Sequence, residues 1–243
     1  MTETNLDKRL QLGLGICLAL NILFWFYIRD TQSTWTNVPP PPDEKYASSY
    51  GLGDASFAYR LNGIMLQNIG DTGGRVTSLQ DYNYELLQDW FLLQDQLDEK
   101  SNFIPYLAAR YFSFVQTAEL YRPILDYLQI VGQRDYGEKW RWMVDAIDFS
   151  KRKLKDKDKA LELAKLLAET KHPNTPAWVK RMPAYVLTSK GDKEAAYALM
   201  VQILKESGDK LHPNEIFETK RYICRRILGP AEALNDPICQ DIR

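Results

Sequence analysis

The chain has 243 residues, of which 45% are hydrophobic and 26% are charged, a composition that excludes a disordered polymer and predicts a globular protein of one or two domains. The formal net charge of −1 hides an uneven distribution, because residues 30–149 carry 9 Lys/Arg against 17 Asp/Glu and residues 150–228 carry 18 against 10. The basic part suits an acidic protein partner, anionic lipid headgroups or simply the solvated face of long helices. No nucleic-acid partner is expected, since no nucleic-acid-binding motif accompanies the basic residues.

An apolar run without any charge covers residues 11–28, QLGLGICLALNILFWFYI. A helix of this length rises about 27 Å, which is close to the thickness of the bilayer hydrocarbon core. A cleaved signal peptide would have a shorter apolar region and a small-residue exit, whereas this run ends in bulky aromatic residues. We therefore expect an uncleaved transmembrane anchor. Lys8 and Arg9, in the N-terminal tail 1–10, outnumber Arg29 and favour a cytoplasmic N-terminus.

Residues 29–53 follow the anchor and are predicted to form a proline-rich linker. Pro39 to Pro42 favour an extended polyproline II conformation and remove four backbone donors, which is typical of a semi-rigid stalk. Such a stretch can also bind an aromatic groove on an SH3-like domain, and this alternative stays open. Beyond the linker we expect a helical domain, 54–228, and a C-terminal tail, 229–243.

The region from Asp54 onward has helical periodicity, with apolar residues at spacings of three and four, and strand or hairpin patterns do not stand out. Asp54 or Ser56 is expected to cap the first helix, which the glycines of 70–74 end. Its apolar face comprises Phe57, Leu61, Ile64, Met65 and Ile69. Short links favour antiparallel neighbours, so the predicted fold class is all-α. The later helices are predicted at 80–97, 102–115, 120–131, 139–154, 157–170, 175–189, 193–206 and 214–228.

Two helix pairs in the basic part resemble each other. A shift of 34 residues aligns Asp158 with Asp192 and Ala164 with Ala198. The best unit is carried by Trp178, Tyr185, the Gly191-Asp192 turn and the pair Ala195-Ala196. An opening aromatic residue, a Gly-Asp turn and small residues at the start of the second helix resemble the tetratricopeptide repeat.

This resemblance implies a right-handed superhelical array of antiparallel helix pairs whose concave surface binds segments of other proteins. Aromatic residues such as Trp90, Phe112 and Trp178 are expected mainly in the core between the pairs. The last helix, 214–228, is rich in charge and would cover the exposed end of the array.

Five arginines are the candidate contacts for an acidic protein partner. Arg141 lies between two tryptophans, and the other four belong to the basic region that would steer such a partner. The candidates are Arg141, Arg181, Arg221, Arg225 and Arg226.

Cys224 and Cys239 could pair near the C-terminus, and a disulfide would fit an oxidising compartment such as a periplasm. Two unpaired cysteines are an equally acceptable reading. With the anchor, this pattern favours a single-pass protein of a bacterial inner membrane whose C-terminal domain lies in the periplasm.

Enzymatic chemistry is not expected, and no catalytic, cofactor-binding or metal-binding residue is predicted. His172 and His212 each precede a proline in a loop and have no ligand spacing around them. The favoured function is a membrane-anchored scaffold or adaptor for protein–protein interaction in an envelope complex. The alternative is a permanently embedded structural subunit of a large membrane enzyme or secretion complex.

Overall fold

The computed structural model describes residues 3–29, 38–72, 75–170, 175–208 and 211–242. The chain divides into two compact units, Met1–Thr36 and Asn37–Arg243. The first unit contains helix α1, Glu3–Ile28, in which Arg9–Ile28 has a mean hydropathy of 1.8 and exposed side chains. Twenty residues rise about 30 Å, so α1 is long and apolar enough to cross a membrane.

The second unit is mainly helical, which confirms the predicted all-α class. Its helices are α2 Glu44–Ser49, α3 Ala55–Gln67, α4 Tyr84–Leu97, α5 Phe103–Arg110, α6 Tyr121–Gly132, α7 Trp140–Arg152, α8 Lys157–Glu169, α9 Met182–Lys190, α10 Lys193–Ser207, α11 Pro213–Tyr222 and α12 Pro230–Asn235. From α6 to α10 each helix packs against the next. These consecutive packed pairs are compatible with a helical repeat fold.

A short hairpin lies at the break between α3 and α4, where the sequence shows no strand pattern. Strands β1 Asp71–Thr72 and β2 Arg75–Val76 pair antiparallel, and Gly73 and Gly74 lie outside the described residues. The predicted break at 70–74 therefore follows the end of α3. The two residues before Gly73 and the two after Gly74 pair as a β-ladder. A ladder of two residues is too short to show the alternation by which strands are recognised.

Three helix starts follow from short polar caps in the sequence. Asp54 accepts a hydrogen bond from the Phe57 amide at 3.0 Å, so Asp54 rather than Ser56 caps α3. Asp156 caps α8 and Asp192 caps α10 in the same way, which satisfies amides that the first helical turn leaves without partners. Gly191, with φ of 93°, ends α9 in the left-handed region and allows the two-residue turn into α10.

The pairs α7–α8 and α9–α10 correspond at a shift of 36 residues. Asp156 and Asp192 both occupy the N-cap position, and 192 minus 156 gives 36. The same shift aligns Ala160 with Ala196, both fully buried. Further pairs at this shift are Trp142 and Trp178, Met143 and Val179, and Ala164 and Met200.

The shift of 34 residues read from the sequence is therefore wrong in register. It aligns Ala164, which is fully buried, with Ala198, which is exposed. It also aligns Leu166, on the outer face of α8, with the buried Met200. The apparent identities at 34 come from charged and small residues that recur in many helices, whereas burial and capping report the structural equivalence.

The described part of the predicted linker, residues 38–53, does not form a free stalk. Val38 and Ala47 are fully buried, and α2 packs on both α3 and α4. The indole NH of Trp90 donates a hydrogen bond of 2.7 Å to the Pro39 carbonyl. Prolines without amide hydrogens can still offer carbonyl acceptors and apolar rings, so this segment packs as part of the second unit.

The C-terminal residues are folded rather than a loose tail. Helix α12 is followed by a 3-10 helix, Pro237–Ile242, which packs on α11. The Tyr197 hydroxyl donates to Asp236 at 2.7 Å, and the Lys220 ammonium pairs with Asp241 at 3.0 Å. These contacts close a small second core around Ala184, Ala196, Met200, Ile223 and Ile227.

Candidate functional site

Three of the five predicted arginines line one cleft at the C-terminal end of the second unit. The cleft has a volume of about 310 Å³. We call it the arginine cleft, and its lining residues are Tyr185, Glu218, Arg221, Tyr222, Arg225 and Arg226. An adjoining cavity of about 570 Å³ shares Tyr185, Tyr222 and Arg226 and adds Lys151, Thr188 and Ser189.

The aromatic part of the cleft is a pair of tyrosines. The rings of Tyr185, on α9, and Tyr222, at the end of α11, meet edge to face with centroids 4.6 Å apart. Burial raises the pKa of the Tyr185 hydroxyl, while the nearby Arg181 lowers it less strongly. Tyr185 therefore stays protonated at neutral pH and can donate a hydrogen bond to an anion.

A π-helical turn places the arginines together. Ile223–Ile227 forms this turn directly after α11, so hydrogen bonds run from residue i to i+5 and the helix widens locally. Positions four and five residues apart then share one face, which sets Arg225 and Arg226 beside Arg221. In the same turn Ile223 and Ile227 are buried in the second core, and this burial turns the two consecutive arginines outward.

The cleft is predominantly basic. Arg221 is half exposed and pairs with Glu218, the acidic residue of the lining. Within the part of the chain that the structure describes, no carboxylate oxygen lies within 4.0 Å of Arg225 or Arg226, and both side chains are exposed. Guanidinium groups without internal partners remain available for planar bidentate pairing with carboxylates.

Arg181 is a correction to the predicted contact set, because it is 3% exposed. Its Nη1 donates to the Glu215 carbonyl at 3.0 Å and to the Thr219 hydroxyl, and its Nη2 forms an ion pair with the Glu215 carboxylate. Those hydrogen bonds tie the 3-10 helix Ala177–Arg181 to α11. Arg181 therefore joins structural elements and does not face a partner.

Arg141 lies elsewhere, in the first turn of α7. Its guanidinium is 5.4 Å from the Trp140 ring centroid and pairs with Glu138 at 3.1 Å. The side chain is 58% exposed, so it is accessible as the sequence predicts. It does not line the arginine cleft, and a single exposed ion pair of this type contributes little energy.

A disulfide lies next to the cleft. Cys224, inside the π-helical turn, is bonded to Cys239 with a Cα–Cα separation of 5.7 Å. The sequence alone left this pairing open. The bond ties the 3-10 helix Pro237–Ile242 to the same turn that carries Arg225 and Arg226, and so it fixes the backbone from which those arginines project.

One of the two histidines lies within the described residues. His212 accepts a hydrogen bond from the Asn214 amide at 3.3 Å and caps α11. His172 lies outside the described residues. Within the described ranges, no three side chains of His, Cys, Asp or Glu come together as a metal-binding group.

Sequence reasoning missed the role of the two tyrosines. The sequence indicates Tyr185 only as a residue of the repeat unit and Tyr222 only as part of the last helix, yet both tyrosines line the cleft. Tyr222 lies three residues before the consecutive Arg225 and Arg226, but Tyr185 lies 37 residues before Tyr222, so only the fold brings the two rings together.

Comparisons with known proteins found no match to this chain among family models, curated proteins or solved structures.

Proposed function

We propose that this protein is a membrane-anchored adaptor that binds an acidic segment of a partner protein in the arginine cleft. The observation that carries the proposal is the convergence of Arg221, Arg225 and Arg226 around the Tyr185–Tyr222 pair. Arginine and tyrosine dominate the energetic centres of protein interfaces, because both combine apolar contact area with hydrogen-bond donors. A segment with carboxylates beside an aromatic or aliphatic residue would suit this cleft.

The proposed architecture is a right-handed superhelix of antiparallel, tetratricopeptide-like helix pairs. The 36-residue correspondence of capping and buried residues in α7–α8 and α9–α10 supports it. Each pair alone would leave apolar surface exposed, so stacking is the stable arrangement. The arginine cleft then lies near the C-terminal end of the array.

The proposed location is a bacterial inner membrane, spanned by α1, with the second unit in the periplasm. The apolar length of α1 and the lysine and arginine that precede its core support this orientation. The bonded Cys224 and Cys239 also suit an oxidising compartment.

The cleft predicts a specific effect on acidic peptides. A fluorescent Glu-Glu-Phe-Glu-Glu peptide should bind the full chain in neutral detergent, and Arg225→Ala with Arg226→Ala should weaken this binding at least tenfold, about 1.4 kcal/mol. Salt should also weaken it, because the Debye length falls from about 10 Å at 0.1 M to about 3 Å at 1 M. Fluorescence anisotropy titration measures both effects.

Arg141→Ala is the matched control for that experiment, since Arg141 is exposed but lies outside the cleft. Its affinity for the peptide should equal that of the unmodified chain. Equal losses in both variants would indicate general charge attraction and contradict the cleft. Circular dichroism should show unchanged helicity in each variant.

Topology is tested with one added cysteine at a time in a Cys17→Ser background, in which Cys224 and Cys239 remain bonded to each other. A membrane-impermeant maleimide should label Lys165→Cys, on the exposed face of α8, in cells whose outer membrane has been permeabilised. Thr4→Cys, before the apolar run, should react only after lysis. The reverse pattern would place the second unit in the cytoplasm.

The alternative function, a permanent subunit of a large membrane complex, is favoured by exposed apolar surface. Ile64 is 59% exposed, Tyr106 57% and Phe114 72%, and permanent interfaces are more hydrophobic than transient ones. Gentle extraction distinguishes the two functions. Constant stoichiometric co-purification with one complex would favour the subunit, whereas loss of the partner at high salt would favour the adaptor.

A further inference from the structure

Helix α3 leaves most of its predicted apolar face accessible to solvent, although Ile69, beyond its end, packs against the core. Phe57, Leu61, Ile64 and Met65 are 45%, 39%, 59% and 39% exposed, respectively. The buried face of α3 instead contains Ala58, Tyr59, Asn62, Gly63 and Leu66. We call the four exposed residues the α3 stripe. Phe57, Leu61 and Met65 are spaced at i, i+4 and i+8, the row of side chains that packs into the groove of another helix.

A groove runs beside the α3 stripe, and its volume is about 570 Å³. Its apolar walls are Pro39, Pro42, Tyr50, Leu61, Met65 and Trp90. The hydrogen bond from Trp90 to the Pro39 carbonyl holds the proline wall against α4, and proline has little conformational freedom to lose. The groove is therefore largely preorganised, which reduces the entropic cost of binding.

Asn62 is an independent sign of a missing partner at this groove. It lines the groove and is only 4% exposed, and its side-chain nitrogen has no hydrogen-bond acceptor among the described residues. An unpaired buried amide costs about 1–3 kcal/mol. A carbonyl or hydroxyl oxygen of a bound segment would satisfy it once the amide turns toward the groove, because the nitrogen has almost no exposed surface in the unbound chain.

The charge around the groove selects among possible occupants. Exposed Asp43 and Glu44 follow the proline wall, exposed Asp54 precedes the stripe and exposed Asp89 adjoins Trp90, whereas Lys45 and Arg60 are the exposed basic residues next to these positions. Residues 38–114 carry 10 Asp/Glu against 5 Lys/Arg. An anionic bilayer or the same face of a second copy would bring like charges together, whereas a basic partner is attracted.

We infer that this groove binds an amphipathic helix of a partner protein whose apolar face fits the α3 stripe and whose flanks carry Lys or Arg. Helix-in-groove binding uses anchors at the spacing that the α3 stripe offers. The inference rests on contacts separate from the arginine cleft and does not depend on the proposed function. Two sites of opposite charge on one chain would allow it to bridge a basic and an acidic partner.

The test uses a helical peptide of about 18 residues, or five turns, with leucine on one face and lysine elsewhere. The full chain, carrying Arg225→Ala and Arg226→Ala so that the arginine cleft does not contribute, is placed in nanodiscs of zwitterionic lipid. The Leu/Lys helix should bind it, and Leu61→Ser with Ile64→Ser should weaken binding at least tenfold. Empty nanodiscs give the lipid background.

Matched controls separate the groove from general attraction. Phe217→Ser removes an exposed aromatic residue outside the groove, 47% exposed, and should leave affinity unchanged. A scrambled peptide of the same composition without an apolar face, and a Leu/Glu helix of the same pattern, should both bind at least tenfold more weakly.

Several results would overturn the inference. Equal binding of the scrambled peptide would reduce it to charge attraction, and equal binding by the Leu61→Ser and Ile64→Ser chain would remove the α3 stripe from the interface. If the peptide bound the chain-loaded nanodiscs no better than empty nanodiscs, its binding would be to the lipid and not to the chain. A dimer that becomes a monomer when Ile64 is replaced, seen by sedimentation of the full chain, would identify a second copy as the occupant instead.

Discussion

Replacing Cys239 with serine is expected to lower the free energy of unfolding by about 3 kcal/mol, the effect of removing a cross-link that closes a loop of this length. The bond joins residues 15 apart in sequence and anchors the C-terminal 3-10 helix to the π-helical turn. For a chain of this size, such a change lowers Tm by roughly 6–12 °C. Urea unfolding and thermal melting, both followed by circular dichroism, measure these values.

Reduction provides the comparison that isolates the bond. Dithiothreitol should lower the stability of the unmodified chain nearly to that of Cys239→Ser, and it should not affect Cys239→Ser itself. Cys17→Ser, which removes the exposed free cysteine of α1, should leave the unfolding curve of the second unit unchanged. Equal stability of the oxidised chain and Cys239→Ser would mean that the C-terminal segment is held by packing alone.

The elements that were predictable from sequence depend on local signals. The apolar run of α1, the Asp54 cap and the Gly191-Asp192 turn each act within a few residues. A polar side chain before an apolar periodic segment satisfies free amides wherever it occurs, so these helix starts need no knowledge of the tertiary fold.

The elements that were not predictable depend on what lies opposite each surface. The α3 periodicity correctly indicates a helix, but it cannot show that Ala58 and Leu66 rather than Leu61 and Ile64 would be buried. The proline segment likewise reads as a stalk, because nothing local reveals the Trp90 indole that binds the Pro39 carbonyl. Burial is a property of the whole fold, and periodicity reports only that a face exists.

The sequence predicted the arginine cleft only in part. Charge counts drew attention to Arg221, Arg225 and Arg226, but the same reasoning selected Arg181, which is buried. The sequence does not show whether a charged side chain has a partner inside the fold. Arg181 has such partners in Glu215 and Thr219, which lie more than 30 residues away in the sequence.

Arg181→Met is the second large effect expected, a loss of about 3 kcal/mol in the free energy of unfolding. Methionine retains most of the apolar volume but leaves the Glu215 carboxylate and the Thr219 hydroxyl without the Arg181 donor. The Glu215 carbonyl loses Arg181 but keeps the Thr219 hydroxyl as a donor. Losing hydrogen bonds to a charged group costs about 1.5–3 kcal/mol, and a buried pair that loses one partner costs about 3–5. The 31% exposure of the Glu215 side chain places the expectation at the lower end of the second range.

Arg225→Met is the matched control, because Arg225 is exposed and should change stability by less than about 0.5 kcal/mol. Glu215→Gln alone, and together with Arg181→Met, completes a double-mutant cycle in urea, and the coupling energy should exceed about 1 kcal/mol. Peptide affinity should rank the two variants in the opposite order to stability. Arg225→Met should bind the acidic peptide more weakly, whereas folded Arg181→Met should bind it nearly as well as the unmodified chain. An arginine that holds α11 against the preceding 3-10 helix must contribute to the free energy of unfolding. If replacing Arg181 weakened peptide binding without lowering stability, Arg181 would instead belong to the partner surface.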